Sequence, residues 1–302
     1  MSEGDADKGE SNRWDEDLIF DPVVGRLSLI KARQDTCRAI INAIGGVSVL
    51  GPKQGVRWRG QADITWRLNS GATRASLSGV ALEEHEQKMI DTARRIGITN
   101  AQHSGDWEIL ARYRHNGAAT RLIDITTDPF VALFMLCDSV AEKSTDQVDG
   151  VLIAVSRDSL TPVSKPWVDG SYQRMLDKEP SRAMVITTPP IDPRIAAQRG
   201  EFMFSTSPLP ESEAPECELF PVIRPPQWTK GKLRKAMGAE QLQAQKGRPQ
   251  NSYPNLMGIR IPKEVKPMLR DMLEVHFGFT RETIYPDWAG LAQGFTLMPK
   301  KS

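Results

Sequence analysis

Apolar positions in the chain fall into two periods, and these predict its elements. Between Arg33 and Ile44 the residues Cys37, Ile40, Ile41 and Ile44 recur at intervals of three and four. That spacing predicts an amphipathic helix, ended by Gly45-Gly46. Val80 to Ile96 repeats the pattern, with Leu82, Met89, Ile90, Ala93 and Ile96 on its inner face and Gly97 as its stop. His85, among Glu83, Glu84 and Glu86, falls on the face expected to be solvated. Trp107, Ile109, Leu110 and Tyr113 mark another helix, and Val265, Met268, Leu269, Met272 and Leu273 a further one over Pro262 to His276. Shorter runs read as strands: Val56 to Gln61, Gly150 to Val155, Glu201 to Ser205 and Ile259 to Ile261, with Thr283 to Asp287 as a last strand end. Trp66 to Arg74 reads as an extended piece beyond a polar turn. No internal repeat is present, and strands and helices alternate without a strict strand-helix-strand rhythm. The expected class is α+β, a mixed central sheet flanked by helices.

Arg112 to Cys137 carries the densest mixture of polar and apolar residues. Thr120, Arg121, Asp124, Thr126 and Asp128 are interspersed with Leu122, Ile123 and Ile125, and an apolar helix follows from Phe130 to Val140. Asp128-Pro129 is a strong helix start, and the free amides there are also able to receive an anion. A helix apolar on nearly every face is expected to be buried. Arg121 and Asp124 then lie next to the core, where an unpaired charge is costly. They are expected either to bridge one another or to point into a cleft.

Charge narrows the function classes. Of 302 residues, 39 are Lys or Arg and 38 are Asp or Glu, giving +1. So even a balance does not indicate a global nucleic-acid or membrane surface, and any basic site must be local. Residues 1–17 carry seven acids against two bases and are expected to be a disordered acidic tail. Residues 18–302 are expected to form one domain, with a basic loop insertion near 228–250 in which Lys230, Lys232, Arg234, Lys235, Lys246 and Arg248 face only Glu240. Such a run is either a solvated insertion or an RNA-facing loop. The three cysteines, Cys37, Cys137 and Cys217, lie far apart and no histidine has metal-ligand spacing, so no metal is expected. The odd cysteine count and the absence of a signal segment or an apolar run of about 18 residues predict a cytoplasmic protein without a membrane partner.

The candidate chemistry is a set of guanidiniums beside glycines and aromatics. In Trp58-Arg59-Gly60-Gln61 the glycine permits a close approach to the backbone, and tryptophan is able to stack on a planar ring. Arginines at 57, 59, 67, 74, 114, 121, 194 and 199 suit phosphate capture. Taken together, Trp58-Arg59-Gly60-Gln61, His115 and Gly117, the run Thr120 to Thr126, Pro129 with Ala132-Leu133-Phe134, Arg194 with Gln198-Arg199-Gly200 and Phe202, and Tyr285-Pro286-Asp287 resemble the FRG domain family. The likeness spans about Gly55 to Gly290. Trp58 stands where Phe or Tyr is usual, and Ala119 where Pro precedes the threonine. The family occurs in proteins that include suspected anti-phage and toxin-like systems.

The order of motifs is also similar in plan to ADP-ribosyltransferases, with an early aromatic-Arg-Gly strand, a hydroxyl-bearing middle strand before an Ala-Leu-Phe helix, and a later acid. That likeness implies a NAD-dependent toxin or effector acting on a protein or nucleic-acid acceptor, with an antitoxin or regulator as a further partner. Arg59 would grip the NAD pyrophosphate, Thr126 hold the nicotinamide ribose, and Asp287 or Glu201 steady the oxocarbenium-like transition state. Trp58, Gly60, Gln61, Arg121, Asp124, Gln198 and Arg199 would complete the nucleotide site. The alternative class is a nucleotide- or RNA-binding sensor, or a phosphodiester-cleaving effector with His115 as general acid-base and no NAD chemistry.

Overall fold

The computed structural model describes residues 29–31, 37–49, 52–98, 104–138, 145–168, 170–178, 183–187, 192–208, 256–288, 290 and 292. The acidic 1–17 tail, the 228–250 basic loop and Cys217 lie outside these residues. The fold is α+β. Among the described residues, eight strands form one mixed sheet: β1 (Leu29–Lys31), β2 (Val56–Gln61), β3 (Ile123–Thr126), β4 (Gly150–Ser156), β5 (Thr161–Pro162), β6 (Ala183–Thr187), β7 (Gly200–Ser205) and β8 (Leu256–Ile261), in the order β1-β8-β4-β2-β3-β7-β6-β5. The β1/β8 and β5/β6 pairs are parallel and the other pairs antiparallel.

The ladder is very uneven at its middle. All six residues of β2 pair with β4, from Val56↔Ser156 to Gln61↔Val151. On its other side β2 meets β3 at one pair, Trp58↔Thr126. The sheet is therefore two four-stranded halves joined by one rung, and beyond that rung the strands fork.

Helices follow the halves: α1 (Cys37–Val49), α2 (Gly71–Arg74), α3 (Gly79–Ile96), α4 (Asp106–His115), α5 (Pro129–Cys137), α6 (Ser171–Lys178), α7 (Pro193–Ala197), α8 (Lys266–Phe277) and α9 (Arg281–Ile284). On one face, α1, α5 and α8 pack on β2, β4 and β8 around Trp58, Phe134 and Ile259. On the same face of the other half, Trp107, Tyr172, Phe202 and Phe204 unite α4, α6 and β7 in a second core. The opposite face carries a cluster that crosses the fork, Ile123, Ile125 and Met203 with Val151, Ile153 and Val155. Strand alternation places Arg57, Arg59 and Gln61 on this second face and Trp58 and Gly60 on the first.

Local chemistry explains where the elements depart from the sequence pattern. Helix α1 runs through Gly45 and Gly46 because Val47 continues its buried stripe of Ile40, Ala43 and Ile44, and packing outweighs the glycine cost. At its other end α3 does stop at Gly97, which adopts φ +66°. Trp66 to Arg74 does not stay extended, since Ser70 accepts from the Thr73 amide and caps the short helix α2. Likewise Thr283 belongs to a helix, α9, in which Thr280 and Thr283 form a reciprocal capping box. Ile96 and Met268, expected inside, are 53% and 42% exposed.

Candidate functional site

Arg59 stands at the fork. Its partner on β4 is Ile153, so its side chain starts from the face opposite to that of Asp124, whose partner is Phe202. The open ladder lets the two meet: Arg59 Nη1 donates to the Asp124 carbonyl oxygen at 2.8 Å and lies 3.7 Å from its Oδ2. From α4, Arg114 donates to the same Oδ2 through Nε at 3.0 Å and Nη2 at 2.6 Å. Burial pushes the Arg59 pKa down to about 10, with Arg114 and Arg74 adding repulsion and Asp124 pulling the other way. Arg114 moves upward because Asp124 outweighs its desolvation. Desolvation disfavours the charge of Asp124, whose side chain is only partly buried, but Arg114 and Arg59 together hold its pKa below the usual carboxylate value. At neutral pH the cluster consists of charged guanidiniums around one carboxylate.

A cavity of about 950 Å³ opens beside Arg59, lined by Gln61, Thr65, Trp66, Arg67, Asn69, Arg74 and Ser76. Its walls are held in place by backbone contacts. Ala72 donates to the Thr120 carbonyl at 3.1 Å, a Cβ on Gly71 would sit 3.2 Å from the Ala119 Cα, and Arg74 Nη1 donates to the Asn69 carbonyl at 2.7 Å. Three polar groups at this cavity are buried without a protein partner: Arg59 Nε, Gln61 Oε1 and both side-chain atoms of Asn69. An unmet buried polar atom costs about 1–3 kcal/mol, which is why most are satisfied. The Trp66 ring is 54% exposed at the rim.

Several residues expected at the site are placed elsewhere. Arg121, 1% exposed, lies in the second core and not in the cleft. Its backbone amide and Nε donate to Glu86 at 2.7 and 2.6 Å, Nη1 donates to the Thr206 carbonyl and Nη2 to the Tyr172 hydroxyl, which in turn donates to Glu86. The expected bridge to Asp124 is replaced by this one, and Glu86, placed by sequence on a solvated face, is fully buried because Arg121 satisfies it. His85 also leaves solvent in part, within 3.1 Å of the Ala119 carbonyl. Trp58, 2% exposed, is a core residue and presents no surface to a ligand. The close approach that Gly60 permits is made by α5: a Cβ there would meet the Ala132 carbonyl at 2.0 Å. The amides at the start of α5 are taken by Asp128, which accepts from Phe130 and Val131.

The remaining candidates are bound to one another. Thr126 donates to the Gln198 carbonyl at 2.6 Å and accepts from the Asp128 amide, while Gln198 Nε2 donates to the Ile284 carbonyl. Both act as ties between β3, the α7 to β7 turn and α9. Arg199, at φ +47°, is largely exposed and pairs with Asp128 at 3.3 Å. Glu201, 5% exposed, is held by Arg57 and by the Thr187 hydroxyl on the face of β7 opposite the helices. Asp287 is held in two places by Arg194, which lies over the Tyr285 ring, and these contacts keep its pKa low against the opposing effect of burial. His115 Nε2 makes no hydrogen bond and lies 3.9 Å from Asp192. Burial lowers its pKa, while Asp192, Asp124 and Asp287 pull it up and Arg194 pushes it down. His115 is thus the titratable group between the Arg59 cluster and the Arg194-Asp287 pair.

Sequence reading passed over Asn69 and named Arg74 and Arg114 only among eight arginines suited to phosphate capture. Asn69-Ser70-Gly71 carries a helix-start signal in Ser70, and reading it as a cap would have turned Arg74 back toward Asn69. Nothing local signals the Arg114-Asp124 pair, which forms across α4 and β3. Among the described residues, no group of three or more His, Cys, Asp or Glu is placed to hold a metal ion, and no helix is long and apolar enough to cross a membrane.

No curated protein and no solved structure matches the chain. A family model does match, over residues 54–145, the stretch from β2 to the segment beyond α5 that supplies Arg59, Asn69, Arg74, Arg114, His115 and Asp124. The fork and its arginine cluster lie in that stretch, and the model that it matches is that of the FRG domain.

Proposed function

We propose that the cleft at the fork binds a nucleotide through its phosphates, and that NAD is the first ligand to test. The observation that carries this reading is Arg59: a desolvated guanidinium, crowded by Arg114 and Arg74, with an unpartnered Nε beside a cavity. A polyanion would relieve that repulsion and supply the missing acceptor, and the planar guanidinium fork fits a phosphate bidentately. Trp66 at the rim offers a face for a base to stack on.

An ADP-ribosyltransferase needs in addition a carboxylate that steadies positive charge on the ribose as nicotinamide leaves. Glu201 is enclosed with Arg57 and Thr187. Asp287, with 27% of its side chain exposed, is the acid that this reading assigns. A protein or RNA acceptor and a toxin-like effector role belong to the same proposal.

The test is calorimetric titration of the full chain with ADP, NAD and inorganic pyrophosphate at low and raised salt, together with an assay for nicotinamide release. Binding that weakens with salt is expected. Absence of binding by all three at millimolar concentration would end the nucleotide reading. Binding of NAD without its consumption, with or without added protein or RNA, would leave a sensor and remove the transferase.

A further inference from the structure

Asn69 is 2% exposed and lines the cavity beside Arg59, yet neither its side-chain carbonyl nor its amide nitrogen is hydrogen-bonded within the protein. Gln61, 4% exposed on the neighbouring wall, donates through Nε2 to the Arg67 carbonyl at 3.2 Å, which fixes its amide and leaves Oε1 as an unused acceptor. Beside the Arg59 Nε, the two amides thus add one unmet donor and two unmet acceptors on rigid supports. Asn69 precedes the cap of α2, its carbonyl anchored by Arg74, and Gln61 ends β2 opposite Val151. Apolar ligands would leave these groups unsatisfied, and phosphate can use only the donor.

We infer that Asn69, assisted by Gln61, is the specificity-determining contact for a flat donor-acceptor edge on the nucleotide: the amino-purine edge of adenine or the carboxamide of nicotinamide. Both edges present an N–H donor beside an acceptor, which an asparagine amide matches in two-point fashion. The inference rests on the phosphate-capture reading and adds to it the part of the ligand that is read. Buried groups shaped for a polar edge reject analogues that lack it, because they are then left unpaired.

The test uses four probes on the full chain: inorganic pyrophosphate, NAD, nicotinic acid adenine dinucleotide, in which a carboxylate replaces the carboxamide, and nicotinamide hypoxanthine dinucleotide, in which the adenine amino group is lost. Wild type is expected to bind NAD about tenfold or more tightly than one of the two altered dinucleotides, and the one disfavoured identifies the edge. In Asn69→Leu that preference is expected to vanish while pyrophosphate binds as before. Should Asn69→Leu not fold, Asn69→Asp keeps the shape and loses the donor, and the wild-type comparison decides by itself. Equal binding of the three dinucleotides to wild type, or a preference that survives at position 69, overturns the inference and leaves phosphate capture standing. Failure of all four probes to bind wild type overturns both.

Discussion

Two arginines from neighbouring motifs, Arg59 and Arg121, have opposite environments. Arg121 is enclosed by a carboxylate, a hydroxyl and a carbonyl, and the burial that would lower its pKa is outweighed by Glu86, so its charge is favoured. The Tyr172 hydroxyl, pushed far up by burial and by Glu86, stays a proton donor. Arg59 has fewer partners than donors, two cationic neighbours and a lowered pKa. Both are largely buried, so burial does not separate Arg121 from Arg59. Saturation of the donors does.

The sharpest way to break this comparison is to remove each charge in turn. Arg121→Met is expected to lose about 3–5 kcal/mol of stability in chemical denaturation, because Glu86 remains buried without its cation. Adding Glu86→Leu should recover much of that loss, and an unchanged midpoint in the single variant would contradict a structural role. Arg59→Lys is expected to lower nucleotide affinity by about 1.5–3 kcal/mol, roughly tenfold to a hundredfold, since an ammonium lacks the two-point grip. Its melting temperature should stay near wild type. If Arg59→Lys unfolds the protein as Arg121→Met does, the contrast between the two sites is lost.

The smallest effect is at His115, and it sharpens the boundary between the clusters. Its pKa in the fold lies below the ordinary 6.5, chiefly through burial, so in that window the unfolded chain binds the proton more strongly. Stability is therefore expected to fall as pH drops through 6.5 toward the folded value. His115→Phe should flatten that part of a stability-against-pH curve. A curve with the same slope in both proteins would assign the effect to other groups.

Much of the fold was legible along the chain. The buried strand Gly150–Ser156, the Gly97 stop and the Asp128-Pro129 start of α5 follow from local pattern and capping. Arg59, Asp124 and His115 were also recognisable as candidates. Trp58, Gly60 and Arg121 were not separable from them, because a motif does not record which side of a strand meets a helix. Gly60 and Arg59 are adjacent in sequence and project to opposite faces of the sheet. Likewise, Glu86 looks solvated until Arg121 arrives from 35 residues away. Pairings of that kind depend on topology, which local periodicity does not carry.

The one-rung junction has a mechanical meaning. A fully zipped sheet resists shear through every interstrand bond, whereas here Trp58↔Thr126 is the one backbone rung of the β2/β3 ladder, beside the side-chain contacts Arg59–Asp124 and Arg57–Glu201. Helix α5 also spans the two plates of the sheet, since it rests on Gly60 without the space of a methyl group and is pinned to β3 through Asp128 and Thr126. The helix works as a splint across a seam. A side chain larger than hydrogen at position 60 would lift the splint and let the plates turn, changing the gap that Arg59 spans without touching Arg59 itself.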